Sequence, residues 1–181
     1  GPAGERAVKV ACIETDDGRA AGRCGLGAVM GSKNLKAIAV KGSGKVEVAD
    51  ENRFQELRKE ALRRIGEKKP LQFGTAGSVM TFEEMGNLPV KNWTVGRFPG
   101  APEIDGQTMD QTILIDRKTC FACPVACGRY VEVRGGPYAP LKGYGPEYET
   151  IATLGSLCMN DDLESIAKAN DVCNRLGIDT I

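Results

Sequence analysis

Three thiols, Cys120, Cys123 and Cys127, fall within eight residues of one another in the stretch KTCFACPVACGR, in a chain with no histidine. On a tight bend the spacing Cys-x2-Cys-x3-Cys converges three sulfurs on one point, and Pro124 helps to hold the bend. Such a trio can serve an iron–sulfur cube that takes its fourth thiolate from far along the chain, a zinc ion, or disulfides. Structural zinc usually draws on two separated pairs of Cys or His. No second Cys-x2-Cys pair and no His is present, so the spacing favours the cube. Three inert buried cysteines are the weakest reading. Cys12 in a strand and Cys158 and Cys173 on helices read as small core residues. A total of seven, unevenly spaced, does not suit a secreted disulfide framework.

Other stretches could also carry chemistry. In DDGRAAGRCGLGAVMGSKN, Gly18, Gly22, Gly25, Gly27 and Gly31 let backbone approach a ligand, while Arg19, Arg23 and Lys33 bring positive charge that suits phosphate. It is neither a Walker A loop nor a dinucleotide fingerprint, and a glycine-rich β-corner with surface arginines explains it equally well. YGPEYET gathers Glu147, Tyr148 and Glu149 at a helix start, where the helix dipole alone accounts for acids. NRLGID reads as a helix end with Gly177 left-handed, and Asn174 and Asp179 flank an exposed turn able to hydrogen-bond a polar ring.

The elements that must position these residues follow from periodicity. Residues 1–48 read as a β-rich segment: Val8, Val10 and Cys12 alternate with Lys9 and Ala11, residues 35–40 form a nearly continuous apolar run, and KGSGK holds a turn. From Asp50 the period changes. Asp50 can cap a helix to about Glu67 with Phe54, Leu57, Ala61 and Ile65 on one face, and a second helix is expected from Thr75 to about Met85. Residues 86–106 form a long Pro/Gly loop carrying the only Trp. A strand follows at RYVEVR, then a helix with Pro146 in its first turn, then a last helix opened by Asp161 and Glu164 and closed by Gly177. The fold class is therefore α+β, a β-rich N-terminal segment followed by a mainly α-helical domain.

Composition bounds the partners. Lys plus Arg equals Asp plus Glu at 24 each over 181 residues, so no basic field exists to collect nucleic acid or anionic lipid. No apolar run approaches the roughly 18 residues of a membrane helix, and the N-terminus lacks the charged and apolar regions of a secretory signal. The expected compartment is the cytoplasm. A start without Met and a stop directly after a helix suggest a piece of a longer polypeptide.

Taken in order, GRAAGRCGLGAVMGSKNLKAIAVKG, LPVKNW, CFACPVACGR, GPEYET and ANDVCNRLGIDTI resemble the tungsten-containing aldehyde:ferredoxin oxidoreductase family over essentially the whole chain. Members are longer at both ends. The resemblance implies that residues 1–48 are the C-terminal part of a pterin-binding β domain and residues 49–181 an incomplete helical domain with an Fe–S cysteine motif. It implies a tungsten bis-pterin (tungstopterin), Mg2+ bridging the pterin phosphates, and a [4Fe-4S] cluster beside one pterin. By position, Cys120, Cys123 and Cys127 are then cluster ligands, the fourth ligand and an active-site His lying outside this chain. Arg19 links pterin and cluster, the Ala20 carbonyl faces magnesium, and Gly22 lets the loop pass the pterin phosphates. Cys24 stands where related sequences often carry Gly. In NRLGID, Asn174 replaces the first acid and Ile178 the Leu of a D-x-x-G-L-D pattern that holds pterin ring nitrogens, while Asp179 is retained.

Glu149 matches a glutamate near the metal proposed as general base, and Tyr148 a hydrogen-bond donor to substrate oxygen. A useful base needs a pKa lifted by burial. The implied reaction oxidises an aldehyde to a carboxylic acid with ferredoxin as acceptor in an anaerobic cytoplasm, and leaves a homodimer of the full-length protein open. Relatives that reduce aromatic acyl thioesters share these motifs. The reading from a different class is a non-catalytic Fe–S or zinc-binding electron-transfer module.

Overall fold

The glycine-rich segment folds by close backbone approach rather than as a continuous sheet. In the computed structural model, which describes residues 1–15, 18–68 and 71–181, the helical turn α1 (Pro2–Glu5) lies against helix α2 (Leu26–Ser32). A methyl group added at Gly4 would meet the Gly27 carbonyl oxygen at 2.8 Å, and one added at Gly31 would overlap the Gly4 carbonyl. Glycine is thus required here for packing. Between the two helices runs a short antiparallel hairpin, β1 (Ile13–Thr15) and β2 (Arg19–Ala21), in which Ile13 faces Ala21 and Thr15 faces Arg19. Asp16 and Asp17, which open the glycine-rich stretch, lie outside the described residues.

The β content expected before residue 49 is only partly realised. Val8 and Val10 lie in or beside turns, and the alternating run contributes a single bridge at Ala11. Residues 35–40 form no strand, and Ile38, Val40 and Val46 are exposed. An extended apolar run becomes a strand only where a neighbour takes its N–H and C=O groups, and the described residues offer none.

Helix α3 (Glu51–Lys68) starts as expected, with the Asp50 carboxylate accepting the Arg53 N–H at 2.9 Å. Its apolar face does not join the core: Phe54 and Leu57 are exposed, and Leu62 and Ile65 line an open cavity with Pro124 and Val125. The helix expected from Thr75 comes in two pieces, a 3-10 turn (Thr75–Ser78) and α4 (Val79–Glu84). Helix α5 (Gly106–Thr112) is capped by Asp105, which accepts the Thr108 N–H at 2.8 Å.

A three-stranded antiparallel sheet follows, β3 (Leu114–Lys118), β4 (Gly128–Val133) and β5 (Leu141–Tyr144), with β4 central. Helices α6 (Tyr148–Leu154) and α7 (Leu163–Leu176) complete the core, in which Val79, Ile104, Met109, Val131, Ile151 and Ile166 are fully buried. Truncating one of the larger of these to Ala would cost about 2–5 kcal/mol. Pro146 precedes the cap of α6, Glu147, instead of sitting in its first turn. Asp162 rather than Asp161 caps α7, accepting the Ser165 N–H at 3.0 Å. Gly177 closes α7 in the left-handed conformation at φ 74°, as its place in the sequence predicts.

The two ends of the chain meet. Ala11 bridges Ile178, the Cys12 N–H donates to the Gly177 carbonyl at 2.9 Å, and the Asp179 N–H donates to the Val10 carbonyl at 3.0 Å. The turn after α7 is thereby fixed against the N-terminal layer. The architecture is α+β, with helix dominant after residue 49.

Candidate cofactor and cluster site

Docking the α7 turn on the N-terminal layer opens a cleft of about 270 Å³, lined among others by Arg19, Ala20, Asn174, Ile178 and Asp179. Residues far apart in sequence thus share one wall. Gly18, at φ 122°, lies so close to the Tyr144 ring that any side chain there would overlap it, which seats the hairpin on β5. Buried Asn170 donates to the Tyr144 carbonyl at 2.9 Å and ties α7 to the same strand, and the Thr150 and Thr180 hydroxyls pair at 2.8 Å across the cleft wall. Gly22 touches the cleft through Asp179, since a methyl group on it would stand 2.7 Å from Asp179 Oδ1. Cys24 is exposed and is not among the residues lining the cleft; its φ of 76° lies in the region that favours glycine.

Arg19 organises the charge. Its Nη1 donates to Glu147 Oε1 at 3.0 Å, and its Nη2 points at Cys127 Sγ at 3.9 Å. The Thr75 hydroxyl donates to the other oxygen of Glu147 and accepts the Tyr148 N–H at 2.9 Å, so the chain of contacts runs from the cysteine loop to the start of α6. Burial pulls the Arg19 pKa down, but Glu147 and the thiols of Cys120 and Cys127 outweigh it and the net shift is upward. Cys12, at the cleft floor, is pushed up to about 12 by burial first, then by the hydrogen bond it donates to Glu14 at 3.1 Å and that carboxylate's charge.

The cysteine loop is a wound turn. The Cys123 N–H donates to the Cys120 carbonyl at 3.0 Å, the Thr119 hydroxyl donates to the carbonyls of Cys120 and Cys123, and Ala122 and Ala126 both have positive φ. Cys120 is exposed, Cys123 and Cys127 are half-buried, and all seven cysteines are free thiols. Among the described residues no three Cys, Asp or Glu side chains come close enough together to hold a single metal ion. The convergence of the three sulfurs on one point that the spacing predicts is therefore not seen at the scale of a single ion; a cube, whose thiolates bind separate irons, spaces its sulfurs more widely.

A second observation bears on what this loop holds. Arg129, 3 % exposed, donates from Nη2 to the carbonyls of Leu71 and Gln72 at 3.2 and 3.1 Å, while its Nε and Nη1 have no partner among the described residues. Buried N–H groups left so cost on the order of 1–3 kcal/mol each. Burial first, then Arg117, lowers the Arg129 pKa. Free thiols with Arg19 against one of them and buried Arg129 two residues after the last fit an anionic, sulfur-rich group.

The first turn of α6 separates this cleft from another of about 440 Å³, lined by Tyr148, Glu149, Asn92, Trp93, Leu157 and neighbours. Lys91, Asn92 and Trp93 are consecutively left-handed, with φ of 43°, 50° and 64°, a costly conformation of the kind found at functional sites. Burial first, then Glu149, raises the pKa of Tyr148, whose ring stands edge-on to Phe82 at 5.0 Å between centroids, so the phenol keeps its proton. Glu149 is exposed at the rim rather than buried. Arg129 escaped the sequence reading, and Thr75 entered it only as a helix start. Glu147 entered it only as an acid at a helix start, and Arg129 stood in the quoted cysteine stretch without any signal of its burial.

Comparison with known proteins gives this arrangement a family. A model described as "Aldehyde ferredoxin oxidoreductase, N-terminal domain" matches residues 1–42, and one described as "Aldehyde ferredoxin oxidoreductase, domains 2 & 3" matches residues 56–181. The whole chain is 45% identical to a tungsten-containing aldehyde ferredoxin oxidoreductase of Pyrococcus furiosus and 43% identical to that of Thermococcus kodakarensis, covering 30% of each. It is 32% identical to an aliphatic sulfonate oxidoreductase, WOR-like subunit, of P. furiosus, again over 30% of that protein. The chain thus spans about 30% of the length of the curated relatives it matches. Among solved structures, the active-site complex BamBC of benzoyl coenzyme A reductase superposes with a TM-score of 0.72 over 99% of this chain and 29% of that one. At 23% identity this shows the fold alone.

Proposed function

Because the chain belongs to the aldehyde ferredoxin oxidoreductase family, we propose that it is part of a longer tungsten–pterin enzyme that oxidises aldehydes to carboxylic acids and passes the electrons to ferredoxin in the cytoplasm. The observation that carries the reading is the shared cleft of Arg19, Ala20, Asn174, Ile178 and Asp179, with Arg19 reaching from Glu147 to Cys127. Within that enzyme, residues 1–48 end a pterin-binding domain and residues 49–181 belong to a helical one.

The residues present suit the groups they would hold. Asp179 and Asn174 offer hydrogen-bond acceptors to a polar ring, Arg19 a fixed charge for a phosphate, the Ala20 carbonyl an oxygen for Mg2+, and Cys120, Cys123 and Cys127 three thiolates for a [4Fe-4S] cluster. Tungsten on its pterins supplies, when bound, the two-electron redox chemistry that side chains lack. The protein's own part is acid–base and positional. The Tyr148 phenol, held protonated, donates a hydrogen bond to the aldehyde oxygen and makes the carbonyl carbon more electrophilic. Glu149, on the rim of the same cavity, is placed to take a proton from the water that adds to that carbon, but it is exposed here and without the burial such a base needs.

Against a zinc-only module stands the spacing, three close cysteines with no second Cys-x2-Cys pair and no His in this chain. The deciding experiment is metal analysis and electron paramagnetic resonance on the purified full-length protein under anaerobic conditions. Tungsten with pterin and a cubane signal, the latter lost in Cys123→Ser, supports the reading. Zinc without visible charge-transfer absorbance removes it.

A further inference from the structure

Arg129 is a buried cation with no carboxylate in contact with it among the described residues, Asp110 and Glu147 acting on it only from a distance. It lies on β4 two residues after Cys127, and two of its three nitrogens lack a partner among the described residues. Its place is tightly set. Nη2 holds the carbonyls of Leu71 and Gln72, and a methyl group at Gly74, itself at φ 66°, would overlap Nε and stand 2.8 Å from the Cys127 carbonyl oxygen and 3.0 Å from Nη2. Gly74 therefore lets the 71–75 segment close over the guanidinium and the end of the cysteine loop together. Arg19 is different in kind, since it is half-exposed and its charge is shared with Glu147.

We propose that Arg129 is a positioning charge that sets the reduction potential of the cluster held by Cys120, Cys123 and Cys127. This rests on the reading of those cysteines as cluster ligands. The physical basis is that reduction adds one electron to an already anionic group, and an unpaired positive charge in a low-dielectric interior stabilises the added electron. Removing the charge makes the cluster harder to reduce. Replacing it by another cation does not.

The test is a redox titration of the cubane resonance signal in full-length wild-type enzyme, Arg129→Met and Arg129→Lys, with iron content measured in parallel. Arg129→Met is expected to keep its iron while its midpoint moves to more negative potential by about a tenfold change in the reduction equilibrium, 59 mV for a one-electron couple. Arg129→Lys is expected to stay close to wild type. Should the Met variant not assemble its cluster, Arg129→Gln, which keeps a donor for the Leu71 and Gln72 carbonyls without the charge, takes its place with the same expectation. An unmoved midpoint in the neutral variant, or an equal shift in Lys and Met, overturns the proposal. A wild-type protein with no cubane signal overturns the ligand reading itself, a result readily told apart from the other two.

Discussion

Gly22 is the position where one methyl group tests the cleft most sharply. Its own backbone, at φ −77°, does not require glycine, so Gly22→Ala should gain about 0.4–1 kcal/mol by restricting the unfolded chain. Against this stands the new Cβ, 2.7 Å from Asp179 Oδ1 and 3.3 Å from its Cγ. Ordinary contact begins at 3.4 Å, so the carboxylate must retreat by about 0.7 Å. The Asp179 backbone cannot follow, because its N–H is held by the Val10 carbonyl, so the side chain turns away alone. Overall stability should then change by less than about 1 kcal/mol, while the group that faces the cleft is misplaced by a distance that can cost up to about a hundredfold in rate. The assay is a double-mutant cycle in the full-length enzyme, with pterin and tungsten content and kcat/KM measured for Gly22→Ala, Asp179→Ala and both together. The double variant should be no worse than Asp179→Ala, because the methyl group no longer has a carboxylate to displace. Losses that add to within about 0.5 kcal/mol would refute the contact as the cause.

Cys24→Gly should stabilise the protein by about 1 kcal/mol and raise its thermal midpoint, since an exposed non-glycine residue at φ 76° is strained and loses little contact when trimmed; an unchanged or lower midpoint would count against that strain. Cys12 gives the stability a pH dependence: its folded pKa is raised to about 12, so between the unfolded value near 9 and 12 the folded state binds more protons than the unfolded one. Stability is therefore full below pH 9 and falls above it, with a slope on the order of 1.4 kcal/mol per pH unit, and Cys12→Ala should flatten that limb in unfolding curves; parallel curves would contradict it.

What could be read in advance was the chemistry carried by local pattern. Asp50 and Gly177 announced the ends of α3 and α7, because caps act on their immediate neighbours. Arg19, Asn174 and Asp179 were singled out as cofactor-facing, and the fold does bring them to one cleft, though through a bridge between Ala11 and Ile178 that no local signal reveals. Residues 35–40 failed as a strand because pairing depends on a partner elsewhere, and the apolar face read for Phe54 and Leu57 stays exposed in this chain because such a face says nothing about what covers it. The contacts of Thr75 and Arg129 were invisible for a related reason: a hydroxyl and a guanidinium look like surface groups until folding buries them.

The meeting of residues 10–12 with residues 177–179 has a temporal meaning. Nearly the entire stretch must be synthesised and its helices docked before the last wall of the cleft exists, and such a distant closure is slow to form even though extra loop length adds little to its free energy. Insertion of any guest into that cleft therefore follows synthesis through Asp179, and a guest once seated would act as a latch between two segments about 170 residues apart in sequence.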